Sequence, residues 1–276
     1  MTRVAFPLYG HDDAQQKFMK ALSGGRLHHP WIFEGASGSV QARFALRLAA
    51  MLLGARPAGD DPAAAPEDDP VIQKVLASGH PDLKHVQRGL NDKGNLKQDI
   101  SVEQIRELNH FFALKPALGG WRIGILDSLD EMNANGRNAL LKTLEEPPPH
   151  VKFILATTEY AKIPVTIVSR CQQYDFKPIP FLLILERLKL LAQEEGIEIS
   201  EDSLRAIVSV AEGSMRDAQS ALDQIIAFGG KKIPEEAVRV LLGVVDERAI
   251  LSLVDAVLER DAKILVEQVQ ELVNSG

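Results

Sequence analysis

The sequence predicts an α/β domain built on a parallel sheet, followed by a helix-rich second part. Three short apolar segments read as buried strands: PWIFE from Pro30, WRIGILD from Trp121 and VKFILA from Val151. Helical segments alternate with them, which is typical of a parallel sheet covered by helices on both faces. After Lys177 the pattern becomes almost wholly helical, so we expect a domain boundary there.

The remaining elements of the first part follow from periodicity and from helix-ending residues. We expect helices over 13–22, 42–53, 101–114, 133–146 and 164–169 and a last strand over 173–176. Ser101 with Gln104 matches a capping box at the start of one helix. Pro147 to Pro149 end another, because proline cannot continue a helix.

Residues 55–70 have the composition of a mobile surface insert. The sequence RPAGDDPAAAPEDDP from Arg56 is dominated by proline, alanine and acids and offers little to bury. An acidic docking segment is the alternative interpretation. Later in the chain, residues 178–243 are expected to form a helical domain, and residues 244–276 begin a further helical region.

Composition excludes several classes of site. The chain has 276 residues and a net charge of −7, so any DNA contact would need a local patch or a partner subunit. Cys171 is the one cysteine, which excludes an internal disulfide and a four-cysteine zinc site. The histidines show no metal-binding spacing, so no metal ligand is expected. The first residues lack the apolar core of a signal peptide, no apolar run reaches the ~18 residues of a membrane span, and we expect a cytoplasmic protein.

The turn after the first apolar strand matches a phosphate loop only in part. A working loop reads G-x-x-x-x-G-K-[ST]: backbone N–H groups face the phosphates, the lysine pairs with the terminal phosphates and the hydroxyl holds Mg²⁺. Gly35 begins the motif and Gly38 lies within it, but Val40, Gln41 and Ala42 replace the second glycine, the lysine and the hydroxyl. An ordinary strand-to-helix turn is the alternative. If the turn is a nucleotide site, we expect it to bind weakly or not at all.

Asp127 ends the WRIGILD strand, where P-loop ATPases carry the acid that binds Mg²⁺. The next residue in working ATPases is usually the Glu that aligns the attacking water, and here it is Ser128. Asp130 and Glu131 lie further along and are expected to point elsewhere. A simple cap on the strand is the alternative role for Asp127. Without the Lys and the Glu we expect no useful ATP hydrolysis, because losing one charge-stabilising group at such a site is already costly.

Two arginines are candidates for contact with phosphate. Arg170 follows a short predicted helix and could reach a nucleotide held by another subunit, since a guanidinium forks onto phosphate oxygens. A surface salt bridge is its alternative role. Arg216 falls in the first turn of a helix capped by Ser214, where the helix dipole disfavours a cation. It therefore needs an anionic partner, which is either a ligand or the neighbouring Glu212 or Asp217.

Together these segments resemble the clamp-loader subunits of bacterial DNA polymerase III, over nearly the whole chain. NALLKTLEEPPP from Asn138 is highly specific for that family. The resemblance implies a RecA-like AAA+ domain over residues 1–177, a three-helix lid over 178–243 and the start of an α-helical collar over 244–276.

The same resemblance implies roles for three residues. Arg170, in Ser169-Arg170-Cys171, corresponds to an arginine finger that acts in trans. Thr157 falls at the sensor-1 position, and Arg216 lies in the segment GSMRD, which resembles sensor 2. The positions of Gly35 to Ala42 and Asp127 correspond to a degenerate nucleotide site.

The two halves resemble different members of the family. Up to about Asn135 the chain is similar to delta-prime, through the degenerate loop, HPDL from His80, GGWR from Gly119 and DEMN from Asp130. From about His150 it is similar to gamma/tau, through HVKFILATTE, KIPVTIVSRCQ and GSMRDAQSALDQ. Members of the gamma/tau type usually carry a four-cysteine zinc module, which this sequence lacks.

The resemblance implies a delta-prime-like stator that offers Arg170 to the ATP site of an adjacent gamma/tau subunit. ATP and Mg²⁺ would then be held by that neighbour and not tightly by this chain. The implied partners are gamma/tau, delta, the sliding clamp and, through the assembled complex, primed DNA. Three alternatives stay open: a gamma/tau-type motor that binds ATP itself, a non-replicative AAA+ adaptor and a truncated relic.

Overall fold

The structure of the chain, a computed structural model, describes residues 4–24, 27–36, 40–59, 61–91, 93–243, 254–260 and 262–275. The chain divides into two compact units, Met1–Lys177 and Pro178–Gly276. Each unit has its own apolar core.

The first unit is built on a parallel sheet of five strands. They are β2 (Pro30–Gly35), β4 (Leu83–Val86), β5 (Arg122–Asp127), β6 (Val151–Thr157) and β7 (Gln172–Phe176), while β1 (Val4–Ala5) and β3 (Ala65–Pro66) form a small antiparallel pair. The order across the sheet is β4-β5-β6-β2-β7, and every neighbouring pair is parallel. The carboxyl ends of the strands therefore meet at one edge, and the predicted parallel sheet is confirmed.

Helices surround this sheet. They are α1 (Asp12–Ser23), α2 (Gln41–Leu52), α3 (Pro70–Leu76), α4 (Val102–Ala113), α5 (Ala134–Glu145) and α6 (Val165–Val168). The capping box at the start of α4 is confirmed, because Ser101 and Gln104 each accept a hydrogen bond from the other's backbone N–H, at 3.3 and 3.1 Å. The Asn133 side chain caps α5 by accepting from the Gly136 N–H at 2.8 Å.

The middle of the sheet is buried on both faces, as a central parallel strand requires. All seven residues of β6 are buried, and so are the first four of β2. The ring of Phe33 in β2 contacts the rings of Phe44 in α2 and Phe176 in β7, with centroids 5.3 and 5.4 Å apart. This aromatic group fixes the start of α2 against the strand before it.

Lys152 is a buried cation near the start of β6, at the amino ends of the parallel strands. Its side chain is 1% exposed, and its Nζ donates to the carbonyls of Leu27 and His28 at 3.2 and 3.0 Å. The same Nζ lies 4.3 Å from the ring centroid of Trp121 and 5.8 Å from that of Trp31. Burial lowers the pKa of this ammonium group to about 8.

Part of the segment 55–70 is packed in the residues that the structure describes, so it buries more than its composition indicates. Ala63, Ala64 and Ala65 are each no more than 4% exposed. Asp61 holds the segment to the domain: its carboxylate pairs with the buried Arg47 of α2 and accepts from the Gln15 side chain at 2.9 Å. Small alanine side chains pack closely where composition alone indicates only low complexity.

Asp69 performs a second structural task in this segment. It is 1% exposed and caps α3, accepting from the N–H groups of Val71 and Ile72 at 2.8 and 3.4 Å. It also accepts from the backbone N–H and the Nε of Arg56. Burial alone would raise the pKa of Asp69, but these hydrogen bonds from Arg56, Val71 and Ile72 outweigh it and lower the pKa.

The second unit is helical in the residues described. It contains α7 (Phe181–Glu194), α8 (Glu201–Val210), α9 (Met215–Gly229), α10 (Glu235–Leu242) and α11 (Ala262–Ser275). Side chains of α7, α8, α9 and α10 form its core, including the buried Ile184, Leu188, Ile207, Leu222 and Val238. The predicted collar, residues 244–276, falls partly outside the described residues, which resume at 254.

Gly213 joins the beginning of this unit to the start of α9. Its carbonyl accepts from the Ile179 N–H at 2.9 Å, and its φ is +85°. A Cβ at this position would lie 2.4 Å from the Cβ of Pro178, so a residue without a side chain is required.

Candidate functional site

The carboxyl edge of the sheet gathers polar side chains from several strands. Glu34 of β2 is paired in register with Thr157 of β6 on one side and with Asp175 of β7 on the other. Asp127 ends β5, one strand beyond β6. Ligands of open parallel sheets bind at this edge, so it is the candidate nucleotide cleft.

The turn between β2 and α2 lies at this edge, and the structure describes the residues at its two ends. Gly35 ends β2, Val40 precedes α2 as its N-cap residue, and Gln41 begins the helix. Gln41 is 6% exposed and Ala42 is half-buried. Gly38 lies outside the described residues. A helix N-terminus favours an anion, but the lysine position carries a buried neutral amide, so these residues do not fit a tightly bound triphosphate.

Asp127 is partly exposed and lies near two polar neighbours. The Ser128 hydroxyl is 3.4 Å from its Oδ1, and His85 Nε2 of β4 is 3.9 Å from its Oδ2. Asp127 ends β5, as both of its expected roles, a ligand of Mg²⁺ and a cap on the strand, require. Ser128 follows Asp127 in the chain and carries a hydroxyl, not a carboxylate.

Asp130 accepts hydrogen bonds from the end of β6, where the clamp-loader resemblance implies the sensor-1 residue Thr157. The Thr157 hydroxyl donates to Asp130 Oδ1 at 2.6 Å. The Thr158 backbone N–H donates to the same oxygen at 3.1 Å, and the Thr158 hydroxyl lies 3.4 Å from Oδ2. Thr157 is 1% exposed, so its hydroxyl is committed to this carboxylate.

Glu131 is also held close to this edge. Arg88 pairs with it at 2.7 Å, between Nε and Oε2. Burial raises the pKa of Glu131, Arg88 opposes that effect, and the charges of Asp130 and Asp127 add to it. Burial also raises the pKa of Glu34, with a further contribution from Asp175. The carboxyl groups at this edge of the sheet therefore influence one another's pKa.

Arg170 lies on the surface just after α6, with 36% of its side chain exposed. Its Nη2 is 3.0 Å from Glu145 Oε1, and its Nη1 donates to the carbonyl of Thr166. The surface salt bridge considered as its alternative role is therefore present within the chain. Nearby, Cys171 is partly buried and its Sγ donates to the carbonyl of Ile167 at 3.2 Å. Burial raises the pKa of this thiol to about 12, which makes it a poor nucleophile.

Arg216 lies in the exposed first turn of α9. Ser214 caps this helix by accepting from the Asp217 N–H at 3.2 Å, as predicted. Within the described part of the chain no ion pair joins Arg216 to Glu212 or Asp217. The anionic partner that its position calls for is therefore not supplied by those two neighbours.

The structure thus brings together some of the predicted site residues. Gly35, Val40, Gln41, Asp127 and Thr157 share the carboxyl edge of one sheet. Arg170 belongs to the same unit but engages another side chain, and Arg216 belongs to the second unit. Among the residues described, no cluster of His, Cys, Asp or Glu could hold a metal ion. Nor does any helix there have the length and hydropathy to cross a bilayer.

Two residues of this region were not anticipated from the sequence. Asp130 and Glu145 each contact a predicted site residue, Thr157 and Arg170 respectively. Asp130 had a usable signal, because it follows Asp127 by three residues at the same edge of the sheet. Glu145 belongs to the NALLKTLEEPPP segment, but its partner is distant in sequence.

Comparison with known proteins identifies the family. A family model described as "DNA polymerase III, delta subunit" matches residues 10–180, and one described as "DNA polymerase III clamp loader subunit, ATPase lid domain" matches residues 183–231. The chain is 34% identical over 274 residues to DNA polymerase III subunit tau of Escherichia coli, a match that spans 97% of this chain and 39% of that protein. It is 33% identical to the gamma subunit of Buchnera aphidicola (Acyrthosiphon pisum), spanning 93% of this chain and 70% of that protein.

A solved structure of the RuvB Holliday junction branch migration motor from Thermotoga maritima shares the fold. Its TM-score is 0.53 at 15% sequence identity, over 90% of this chain and 76% of that one. This likeness confirms the RecA-like AAA+ fold that the clamp-loader resemblance implies. The sequence matches across both units go further, and the chain belongs to the clamp-loader subunits of bacterial DNA polymerase III.

Proposed function

We propose that this chain is a gamma/tau-class clamp-loader subunit that hydrolyses no ATP itself and lends Arg170 to the nucleotide of a neighbouring subunit. The carrying observation is Gln41, a buried neutral side chain at the position where a working phosphate loop has its lysine. The ATP and Mg²⁺ of the reaction belong to the neighbour in this proposal.

Two further observations support a silent cleft. The Thr157 hydroxyl is already donated to Asp130, so the sensor-1 group is satisfied by the chain itself. Ser128 follows Asp127 where an attacking water would need a carboxylate. These two features affect different requirements of phosphoryl transfer, the sensor group and the alignment of the attacking water. Together with Gln41 they support a site that does not hydrolyse ATP.

The comparisons favour the gamma/tau alternative over a delta-prime identity. The relatives that match almost the whole chain are tau and gamma subunits, at 34% and 33% identity. In this proposal the chain is related to gamma/tau by descent, and the delta-prime-like motifs before Asn135 reflect the role of a stator. The chain spans about two fifths of the tau subunit it matches, so the proposed role is that of the shared AAA+ and lid regions alone.

Arg170 is the residue through which such a stator would act. Its guanidinium is partly exposed at the end of α6 and carries a permanent charge. The expected partners are gamma/tau and delta subunits, the sliding clamp, and primed DNA through the assembled complex. A finger supplied in trans is worth ~10³ to 10⁵ in rate at the site that it serves.

The test of this role uses the assembled complex. The chain is mixed with gamma/tau, delta and the clamp, and ATPase activity is measured with primed DNA. Arg170→Ala should leave the complex assembled and lower the stimulated rate. Arg106→Ala is the matched control, because Arg106 is an exposed arginine on α4 that lies 3.9 Å from an exposed acid, Glu103. Equal rates for both variants would remove the finger assignment.

A second candidate is a gamma/tau-type motor that binds ATP itself, which the gamma and tau relatives favour. Titration of the isolated chain with a fluorescent ATP analogue separates the two. We expect no submillimolar binding by the wild type and a gain for the double variant Gln41→Lys/Ala42→Thr. Submillimolar binding by the wild type would establish the motor. A non-replicative adaptor, the remaining alternative, predicts no association with gamma/tau or delta.

A further inference from the structure

We infer that Glu145 is a positioning residue for Arg170: it holds the guanidinium at the end of α6 until a phosphate from the neighbouring subunit replaces it. This inference rests on the proposed function, because it assumes that Arg170 acts in trans. It adds a carboxylate from the end of α5 that competes with the phosphate for the same cation.

The geometry carries the first step. Glu145 is the last residue of α5, and Arg170 follows α6, so each side chain extends from a helix end. Nη2 of Arg170 lies 3.0 Å from Glu145 Oε1, while Nη1 donates to the Thr166 carbonyl. The two contacts give the long side chain one orientation without burying it.

The exposure of the pair carries the second step. The side chains of Arg170 and Glu145 are 36% and 53% exposed, so water screens their attraction. Ion pairs of this kind shift an equilibrium only about 1.5- to 5-fold. A bound triphosphate offers more charge and bidentate acceptors, and it therefore outcompetes a single screened carboxylate.

Arg122, in the same unit, is a buried arginine that contrasts with the partly exposed Arg170. Its side chain is 7% exposed and its guanidinium lies 4.4 Å from the ring centroid of Phe111. It also donates to the carbonyls of Lys115 and Phe111 at 3.1 and 2.6 Å. Releasing it would leave buried acceptors without partners, whereas releasing Arg170 exposes two groups that water can solvate.

The ion pair itself is tested first, in the isolated chain. The Arg170 Nε–H resonance is followed by ¹H–¹⁵N NMR in the wild type, in Glu145→Gln and in the control Glu103→Gln. Glu103 is the matched control because it is also an exposed acid near an arginine, Arg106. We expect the Arg170 resonance to move only in Glu145→Gln. An unmoved resonance would overturn the inference and leave the proposed function standing.

The consequence for catalysis is tested in the assembled complex. Glu145→Gln should raise kcat/KM for ATP about 1.5- to 5-fold, because the competitor is gone. In an Arg170→Ala background the same change should have no effect, since Glu145 acts only through that arginine. An equal effect in both backgrounds, or a lower kcat/KM in the wild-type background, contradicts the inference. If Arg170→Ala alone leaves the rate unchanged, the proposed function fails first, and the positioning role fails with it.

Discussion

The hydroxyl of Thr157 donates to the carboxylate of Asp130 at 2.6 Å, across 27 residues of sequence. This bond ties the end of β6 to the turn that follows β5. In the proposed function the Thr157 hydroxyl already donates its hydrogen bond to Asp130, so it needs no nucleotide as a partner. The same bond makes a direct prediction about stability.

Asp130→Ala should lower the free energy of unfolding by about 1 to 3 kcal/mol, because a buried hydroxyl loses its acceptor. Urea denaturation at pH 7 measures the effect. Asp68→Ala is the control, since Asp68 is exposed and a surface change of this kind should stay within about 0.5 kcal/mol. Equal losses for the two variants would show that Asp130 contributes nothing through Thr157.

Lys152 should give the stability of the chain an unusual dependence on alkaline pH. Its folded pKa is about 8 against an ordinary value of 10.5, so the unfolded state binds more protons between those values. Stability therefore rises with pH through that window, whereas below pH 8 both states are charged and the full cost of burial is present.

The comparison with Lys152→Met isolates this effect. The wild type should gain about 3 kcal/mol relative to the variant as pH rises from 7 to 10.5, at about 1.4 kcal/mol for each unit of pKa shift. Other titrating groups cancel in the difference. Parallel stability curves for the two proteins would show that Lys152 does not titrate abnormally.

Asp69 should matter to residues 55–70 as a cap and as a charge. Asp69→Ala is expected to cost about 1 to 2 kcal/mol, and Asp69→Asn less, because asparagine also caps a helix. The lowered pKa of Asp69 means that its charge stabilises the fold above its ordinary value of 3.8 and that this contribution is lost as pH falls through the folded value.

Urea unfolding at pH 7 and pH 3 compares these Asp69 variants. The difference between wild type and Asp69→Asn should shrink at the lower pH, because the carboxylate is then being protonated. If the difference in the free energy of unfolding between wild type and Asp69→Asn were the same at both pH values, the charge of Asp69 would not contribute to stability.

Gly213→Ala should destabilise the second unit more than Gly196→Ala does. Both glycines have positive φ, +85° and +65°, so both variants carry backbone strain. Only at Gly213 would the new Cβ also contact Pro178. A Cβ added at Gly196 would have no atom within 4 Å. Crowding of this kind adds about 1 to 3 kcal/mol, measured by thermal or urea unfolding, and equal costs would contradict the contact with Pro178 as the cause.

The sequence predicts four strands of the five-stranded sheet and misses one of its two edge strands, β4. Pro30 to Glu34 and Val151 to Ala156 are continuous apolar runs, which is what central parallel strands require. β4 was not anticipated, because Leu-Lys-His-Val has apolar residues only at its two ends and lies at the edge of the sheet. Helix α3 is also missed by the sequence analysis, because it follows an acidic, proline-rich segment. Asp69, at the end of that segment, is the cap of the helix.

The candidate site divides in the same way. Its strand-end and helix-start positions, such as Asp127 and Gln41, follow from local pattern, because they are fixed by the elements that they end or begin. The bonds of Thr157 to Asp130 and of Arg170 to Glu145 join residues 27 and 25 apart. No local periodicity encodes such pairs, since they form only when separate strands and helices are packed.

Gly213 couples two places that are far apart along the chain. Its carbonyl holds Ile179, its bare Cα leaves room for Pro178, and three residues later the same turn presents Arg216. A side chain at position 213 would therefore disturb two places together, the peptide that begins the second unit and the turn that leads into α9.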